Sequence, residues 1–471
     1  MLPTRLLTGI RTALVAPVLF SASLYAGETV NLMQVYELAL KNDAELAAAQ
    51  ASFKAAEEAV PQSRAALLPT INLTAQTADN RRSMLESGPI AGGRTNNWNT
   101  HGWSASLNQP LFNLASWFNF ERAGYLTDQA SVSLAIVQQD LILRVAEAYF
   151  NVLLAQESLA TTVAEERALE GQLEQTQQRY NVGLIAETDV LEARAAYDAS
   201  RVARIQADNQ VYVAREGVRT LTNTSIEKME TLDKSMPVAT PVPAIVEEWV
   251  TTAIAQNLNL DASRKGIDAA GSQLRASRSG HAPTLNAVAS YSHDVGPGSR
   301  INGTDGSNFV SSGKTNDTVF GLQLNVPIFS GGFTQSKVRE AGYKLEESQM
   351  NYDLSLRTVS ANTRNLYNTV NADSQRIDAR CRAIESSSSA LRATESGYEV
   401  GTRNIVDVLN AQKTLYAAQR DYLQARYEFI VNTLKLKQQA GTLSPQDLQD
   451  LNAWVRPNKD SDLDTICQKK A

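Results

Sequence analysis

The sequence predicts an α+β membrane protein: a transmembrane β-barrel built by several copies of the chain and continued by very long helices. Three observations predict it. Proline is absent between Pro110 and Pro237 and again between Pro327 and Pro445, and both intervals are rich in Ala, Gln, Glu, Arg and Leu, all good helix formers. The chain repeats itself, since RYNVGLIAETDVLEA (Arg179 to Ala193) returns as GYEVGTRNIVDVLNA (Gly397 to Ala411). Short segments outside the proline-free intervals alternate apolar and polar residues with period two.

Composition removes several function classes. The 44 basic residues are outnumbered by 50 acidic ones, for a net charge of −6, which disfavours a nucleic-acid partner. The three histidines (His101, His281, His293) and two cysteines (Cys381, Cys467) show no metal-ligand spacing, so no metal or other cofactor is expected. No nucleophile, base and orienting group come together, so the chain does not read as an enzyme.

The elements follow in order. Arg5 and Arg11 precede the apolar run ALVAPVLF (Ala13 to Phe20) and small residues up to Ala26, the pattern of a secretory signal peptide. Beyond it no run of roughly 18 apolar residues offers a transmembrane helix. In INLTAQT the apolar set is Ile71, Leu73 and Ala75; in WSASLNQ it is Trp103, Ala105 and Leu107. LNAVASYS gives Leu285, Ala287, Ala289 and Tyr291, and VFGLQLNVPIF gives Phe320, Leu322, Leu324, Val326 and Ile328. Segments of about ten residues with one apolar face suit a membrane barrel, whose smallest examples need about eight strands. Open edges in lipid leave backbone groups unsatisfied, so four strands per chain demand several chains. GPGSRING (Gly296 to Gly303) lies between strands and reads as an extracellular loop.

Residues 115–180 alone make a helix of about 100 Å at 1.5 Å per residue, too long for a compact domain. After each repeated turn comes a seam at 3-4 spacing: Val190, Ala193, Tyr197, Ser200, Arg204, Ala207, Val211, Ala214, Val218 and Leu221, then Val408, Ala411, Leu415, Ala418, Tyr422, Ala425, Phe429, Asn432, Leu436 and Gln439. Such seams belong to coiled coils. The halves match further: Ala39-Leu40 with Ala253-Ile254, Pro69-Thr70 with Pro283-Thr284, Pro110 with Pro327, and Ala123-Gly124-Tyr125 with Ala341-Gly342-Tyr343. The chain thus divides into a signal peptide (1–26), a first repeat (27–225), a linker (226–249), a second repeat (250–441) and a C-terminal segment and tail (442–471). Cys467 in that tail reads as an unpaired thiol.

The two turn motifs, extended to RYNVGLIAETDVLEARAAYD and GYEVGTRNIVDVL, together with the strand ends QPLF and VPIFSGG, resemble the TolC, or outer-membrane factor (outer-membrane efflux protein), family. The resemblance runs to about Trp454. It implies a homotrimer with a 12-stranded barrel, four strands per chain, continued by a periplasmic α-helical coiled-coil barrel. The implied function is the outer-membrane exit duct of tripartite drug efflux pumps and type I protein secretion. A periplasmic adaptor (membrane fusion) protein and an inner-membrane efflux or ABC transporter would open it. By position, Tyr398 and Arg403 would bond Thr188 and Asp189 across the gap between hairpins, and Gln172 would link to Glu395. Asp407 would ring the constriction; Asn410 stands where the family often has a second Asp, so one carboxylate per chain is expected there. Val182, Gly183 and Leu184, with Val400, Gly401 and Thr402, would be the adaptor-docking tips. Two other classes compete: a trimeric coiled-coil surface protein of adhesin type, and a periplasmic adaptor.

Overall fold

The computed structural model describes residues 29–84, 94–296, 300–302, 308–310 and 313–456. The signal peptide, Cys467 and part of the Gly296 to Gly303 segment lie outside the described residues. The elements are α1 (Leu32–Asn42), α2 (Ala44–Glu57), α3 (Ala59–Ala65), β1 (Thr70–Met84), β2 (Arg94–Phe112), α4 (Leu114–Asn181), α5 (Glu187–Thr222), β3 (Thr231–Leu232), α6 (Val246–Gln256) and α7 (Leu258–Arg278). They continue as β4 (Thr284–Val295), β5 (Arg300–Asn302), β6 (Asn308–Val310), β7 (Lys314–Asn325), α8 (Phe333–Glu399), α9 (Ile405–Gln439), α10 (Pro445–Asn452) and β8 (Val455–Arg456).

Period-two patterning becomes a sheet with two unlike faces. Its order is β1-β2-β4-β7, every pair antiparallel. Register aligns Leu73 with Ala105, Ala105 with Tyr291, Leu107 with Ala289, Ala289 with Phe320 and Ala287 with Leu322. One face therefore carries an apolar band across all four strands, while Asn72, Ser106, Ser290 and their neighbours form the other face. Nothing in the protomer covers the apolar face: Ile71, Leu73, Phe320 and Leu322 are each at least 70% exposed. Toward the loop end Trp103 and Tyr291 stack with ring centroids 5.2 Å apart, and at the helix end Phe112 and Trp117 are exposed. An apolar band between two aromatic girdles is the lipid-facing signature of a membrane barrel. The expected last strand overran: β7 stops at Asn325, because Pro327 has no N–H for the ladder, and Ile328 and Phe329 stand free at 94% and 88% exposure.

Two long antiparallel hairpins hang from the sheet. α4 runs 68 residues and α8 runs 67; α5 folds back on α4 and α9 on α8, while α4 also meets α9. The side chain of Asn113 caps α4 by accepting from the Ser116 N–H at 3.1 Å. The seams bury Val190, Ala193, Ser200, Val211, Val218 and Leu221 on α5, and Val408, Ala418, Tyr422, Ala425, Phe429 and Leu436 on α9. The main core lies where α4 and α9 pass α1 and the small β3–β8 sheet, around Tyr149, Phe150, Leu153, Ile430 and Leu436. There the Tyr149 hydroxyl donates to the Glu230 carbonyl at 2.7 Å, and Arg144 grips Asp43, the N-cap of α2, at 3.0 and 3.2 Å. Burial pushes the Asp43 carboxyl up, but the Arg144 bond and charge and the Leu46 N–H outweigh it and hold it below the usual range. Cys381 on α8 is disulfide-bonded.

Candidate gate and docking tips

Each hairpin reverses through the same device. Gly183 and Gly401 have φ of +76° and +78°, a region that favours glycine. Gly183 N–H donates to the Tyr180 carbonyl and Leu184 N–H to that of Arg179, at 2.8 and 2.9 Å; Gly401 and Thr402 repeat the pattern on Tyr398 and Gly397 at 3.1 and 2.8 Å. These paired bonds form a Schellman motif, which satisfies carbonyls left open at a helix end. A Cβ on either glycine would meet nothing within 4 Å, so dihedral angle and not crowding demands glycine. The motif pushes Val182, Leu184 and Val400 into solvent at 71%, 71% and 75% exposure. An apolar tip on an otherwise polar rod suits a partner's groove.

The copies diverge once the turn is made. Asn404 caps α9 by accepting from the Asp407 N–H at 2.8 Å, whereas Ala186 before α5 has no side-chain cap. Arg403, one residue before Asn404, reaches along its own hairpin to Asp407 Oδ2 at 3.7 Å. Its stem lies over Gly397, where a Cβ would sit 2.8 Å from Arg403 Cγ. Asp407 is half-exposed, Asn410 exposed, Thr188 exposed and Asp189 half-buried in the first turn of α5. Among the described residues of one protomer, no hydrogen bond or ion pair joins Tyr398 or Arg403 to Thr188 or Asp189, or Gln172 to Glu395.

Two of these groups are left wanting partners. Tyr398 is buried at 8% exposure among Ile405, Val408 and Leu391, with no partner for its hydroxyl. Gln172 is buried at 9% with Nε2 unsatisfied, and an orphaned buried donor costs about 1–3 kcal/mol. A contact that the sequence reading missed reaches Tyr398 from the other hairpin: the Arg179 guanidinium lies 5.0 Å from its ring centroid. In the repeat Arg179 stands opposite Gly397, a difference that by itself does not point to Tyr398. A groove of about 1120 Å³ lies remote from the tips between α4 and α5, walled largely by Asn151, Gln206, Ala207, Asn209 and Gln210. Among the described residues no group of three or more His, Cys, Asp or Glu side chains is placed to hold a metal.

The family model for outer membrane efflux proteins matches residues 35–224 and 249–442, most of the chain and both of its repeats. The chain belongs to the outer membrane efflux protein family. Among curated relatives, the outer membrane protein TolC of Vibrio cholerae is 37% identical over 431 residues, covering 91% of this chain and 94% of that one. TolC of Escherichia coli is 36% identical over 446 residues, covering 93% and 88%. A proteases secretion protein of Dickeya chrysanthemi, PrtF, is 27% identical with 95% and 96% covered. The crystal structure of the outer membrane protein VceC from Vibrio cholerae shares the fold at TM-score 0.69 and 18% identity, covering 87% of this chain and 96% of VceC. The CmeC outer membrane channel of Campylobacter jejuni does so at TM-score 0.71 and 16% identity, with 90% of each chain covered. As in its family, this outer membrane efflux protein pairs a membrane sheet with long helical hairpins.

Proposed function

We infer that the protein is the outer-membrane exit duct of tripartite drug efflux pumps and type I protein secretion, acting as a homotrimer. The observation that supports it best is a four-stranded sheet with an apolar band on one face and two open edges, β1 and β7, set on helical hairpins about 100 Å long. Edges cannot stay open in lipid, and three such sheets close a barrel of twelve strands. The polar faces line its lumen, which the helices carry onward into the periplasm. Because both halves of the chain feed the sheet, the adhesin alternative, with membrane strands at one terminus, gains no support. A single-hairpin adaptor does not fit two hairpins and a membrane sheet.

At the periplasmic end the exposed tips Val182-Gly183-Leu184 and Val400-Gly401-Thr402 are the surface for an adaptor, which works with an inner-membrane transporter. The gate is the set Thr188, Asp189, Tyr398 and Arg403, with Gln172 and Glu395 as a second link and Asp407 at the constriction. The orphaned Tyr398 hydroxyl and Gln172 amide support this, since a neighbouring protomer or hairpin is where their partners would come from. Weak links repeated by symmetry suit a gate that docking must break. No step of this transport calls for catalysis or a bound cofactor. Single-channel recording of purified trimers in a planar bilayer tests the reading: small, long-lived conductance supports it, and no conductance overturns it.

A further inference from the structure

We propose that Arg179 is a latch of the closed gate, clasping the Tyr398 ring across the two hairpins of one protomer. The proposal rests on the gating role given above to the tip region. Arg179 sits in the last turn of α4 and Tyr398 in the last turn of α8, so the contact ties the ends of helices that belong to different hairpins. The guanidinium lies 5.0 Å from the ring centroid, within the range of a cation–π contact. Among the described residues Arg179 makes no ion pair, so the ring is its partner. Tyr398 is buried and held by Ile405 and Val408, so the ring is fixed in place before the arginine meets it.

The repeat explains why only one copy carries the cation. The position matching Arg179 is Gly397, and a Cβ there would clash with Arg403 Cγ at 2.8 Å and Thr402 Oγ1 at 3.2 Å. The second hairpin needs a glycine at that level to let Arg403 fold back over it. The first hairpin, with Ile185 in place of Arg403, has room for a long side chain, and that side chain turns to the neighbouring hairpin. A competing role is complementing the negative end of the α4 dipole, which any cation in the last turn serves. That role is independent of Tyr398, which makes the two separable.

Contacts of this type shift an equilibrium by about two- to thirtyfold between exposed and desolvated settings. Undocking the latch should therefore raise the open probability of purified trimers without an adaptor. The experiment records wild type, Arg179→Ala, Tyr398→Leu, Tyr398→Phe and the double variants with Arg179→Ala in planar bilayers, after checking that each runs as a trimer on mild gels. Arg179→Ala and Tyr398→Leu should each raise conductance, and the double variant should add nothing beyond the larger of them. Tyr398→Phe, which keeps the ring, should stay responsive to Arg179→Ala. Additive effects of Arg179→Ala and Tyr398→Leu would assign Arg179 to the helix dipole and overturn the latch. Raised conductance in Tyr398→Leu with none in Arg179→Ala would overturn the latch and leave the gate standing. If neither variant changes conductance, the latch and the tip gate both fall.

Discussion

At the scale of single residues, the proposed constriction turns on Arg403 and Asp407. The sequence placed both at the gate but not in contact; Arg403 lies 3.7 Å from Asp407 on the same hairpin. Exposed pairs of this kind are worth about 0–1 kcal/mol, so the pairing does little for stability. In the proposed ring it would matter for charge, because each arginine would mask one carboxylate. Arg403→Ser should therefore raise cation selectivity, three bare carboxylates in a narrow pore favouring counter-ions, and Asp407→Ala should abolish it. Reversal potentials in asymmetric salt check both; selectivity unchanged by Asp407→Ala would move the constriction elsewhere. The tip glycines carry a second expectation. Forcing a side chain into φ near +76° or +78° costs about 1–2 kcal/mol, small for such long hairpins. Gly183→Trp or Gly401→Trp should thus leave trimers in the membrane while blocking drug export, and normal export in both would show that docking occurs elsewhere. The turn itself was legible because two Schellman motifs need two glycines. Arg179 was not, because a contact between hairpins leaves no periodicity in either.

At the scale of elements, patterning gave the strands and their faces but misjudged an end. VPIF alternates like the strand before it, yet a missing N–H at Pro327 outranks hydropathy, and β7 ends first. The register makes a sharp comparison available between neighbouring residues. Leu322 faces the apolar side and Gln323 the polar side. Leu322→Arg should cost about 2–4 kcal/mol per protomer near the membrane midplane and reduce trimer yield in outer-membrane fractions. Gln323→Arg should leave the yield intact, and equal yields would reverse or remove the assigned faces. In the helices, seams were legible from 3-4 spacing, whereas buried polar groups such as Glu157 were not, since burial there depends on the meeting of α4 with α9. Glu157 Oε2 is buried without a hydrogen-bond partner. Burial pushes its carboxyl above the ordinary 4.5, against the pull of Arg426, Tyr427 and Lys234. A raised carboxyl favours the folded state below the unfolded value, and that advantage is lost as pH rises through the folded one. Glu157→Gln should then be least different from wild type in acid and more stable above it, recovering part of the roughly 1–3 kcal/mol cost of an unpaired buried polar atom. Thermal unfolding between acid and neutral pH measures this; a gap that closes as pH rises would reverse the sign.

At the scale of the whole molecule, the repeat is what makes the architecture readable. Each half supplies one β-hairpin to the sheet and one helical hairpin below it, which is why two family matches, residues 35–224 and 249–442, tile the chain. The number of chains was not readable from patterning, which says only that four strands cannot close; the trimer came from the resemblance. In the fold itself the unpaired edges of β1 and β7 state the same demand in backbone hydrogen bonds. The most direct test of that demand is the mass and heat response of the protein extracted from outer membranes in mild detergent. A three-chain species that collapses to the single chain only on boiling is the expected result, whereas a single chain recovered from the soluble periplasmic fraction would contradict the trimeric membrane barrel.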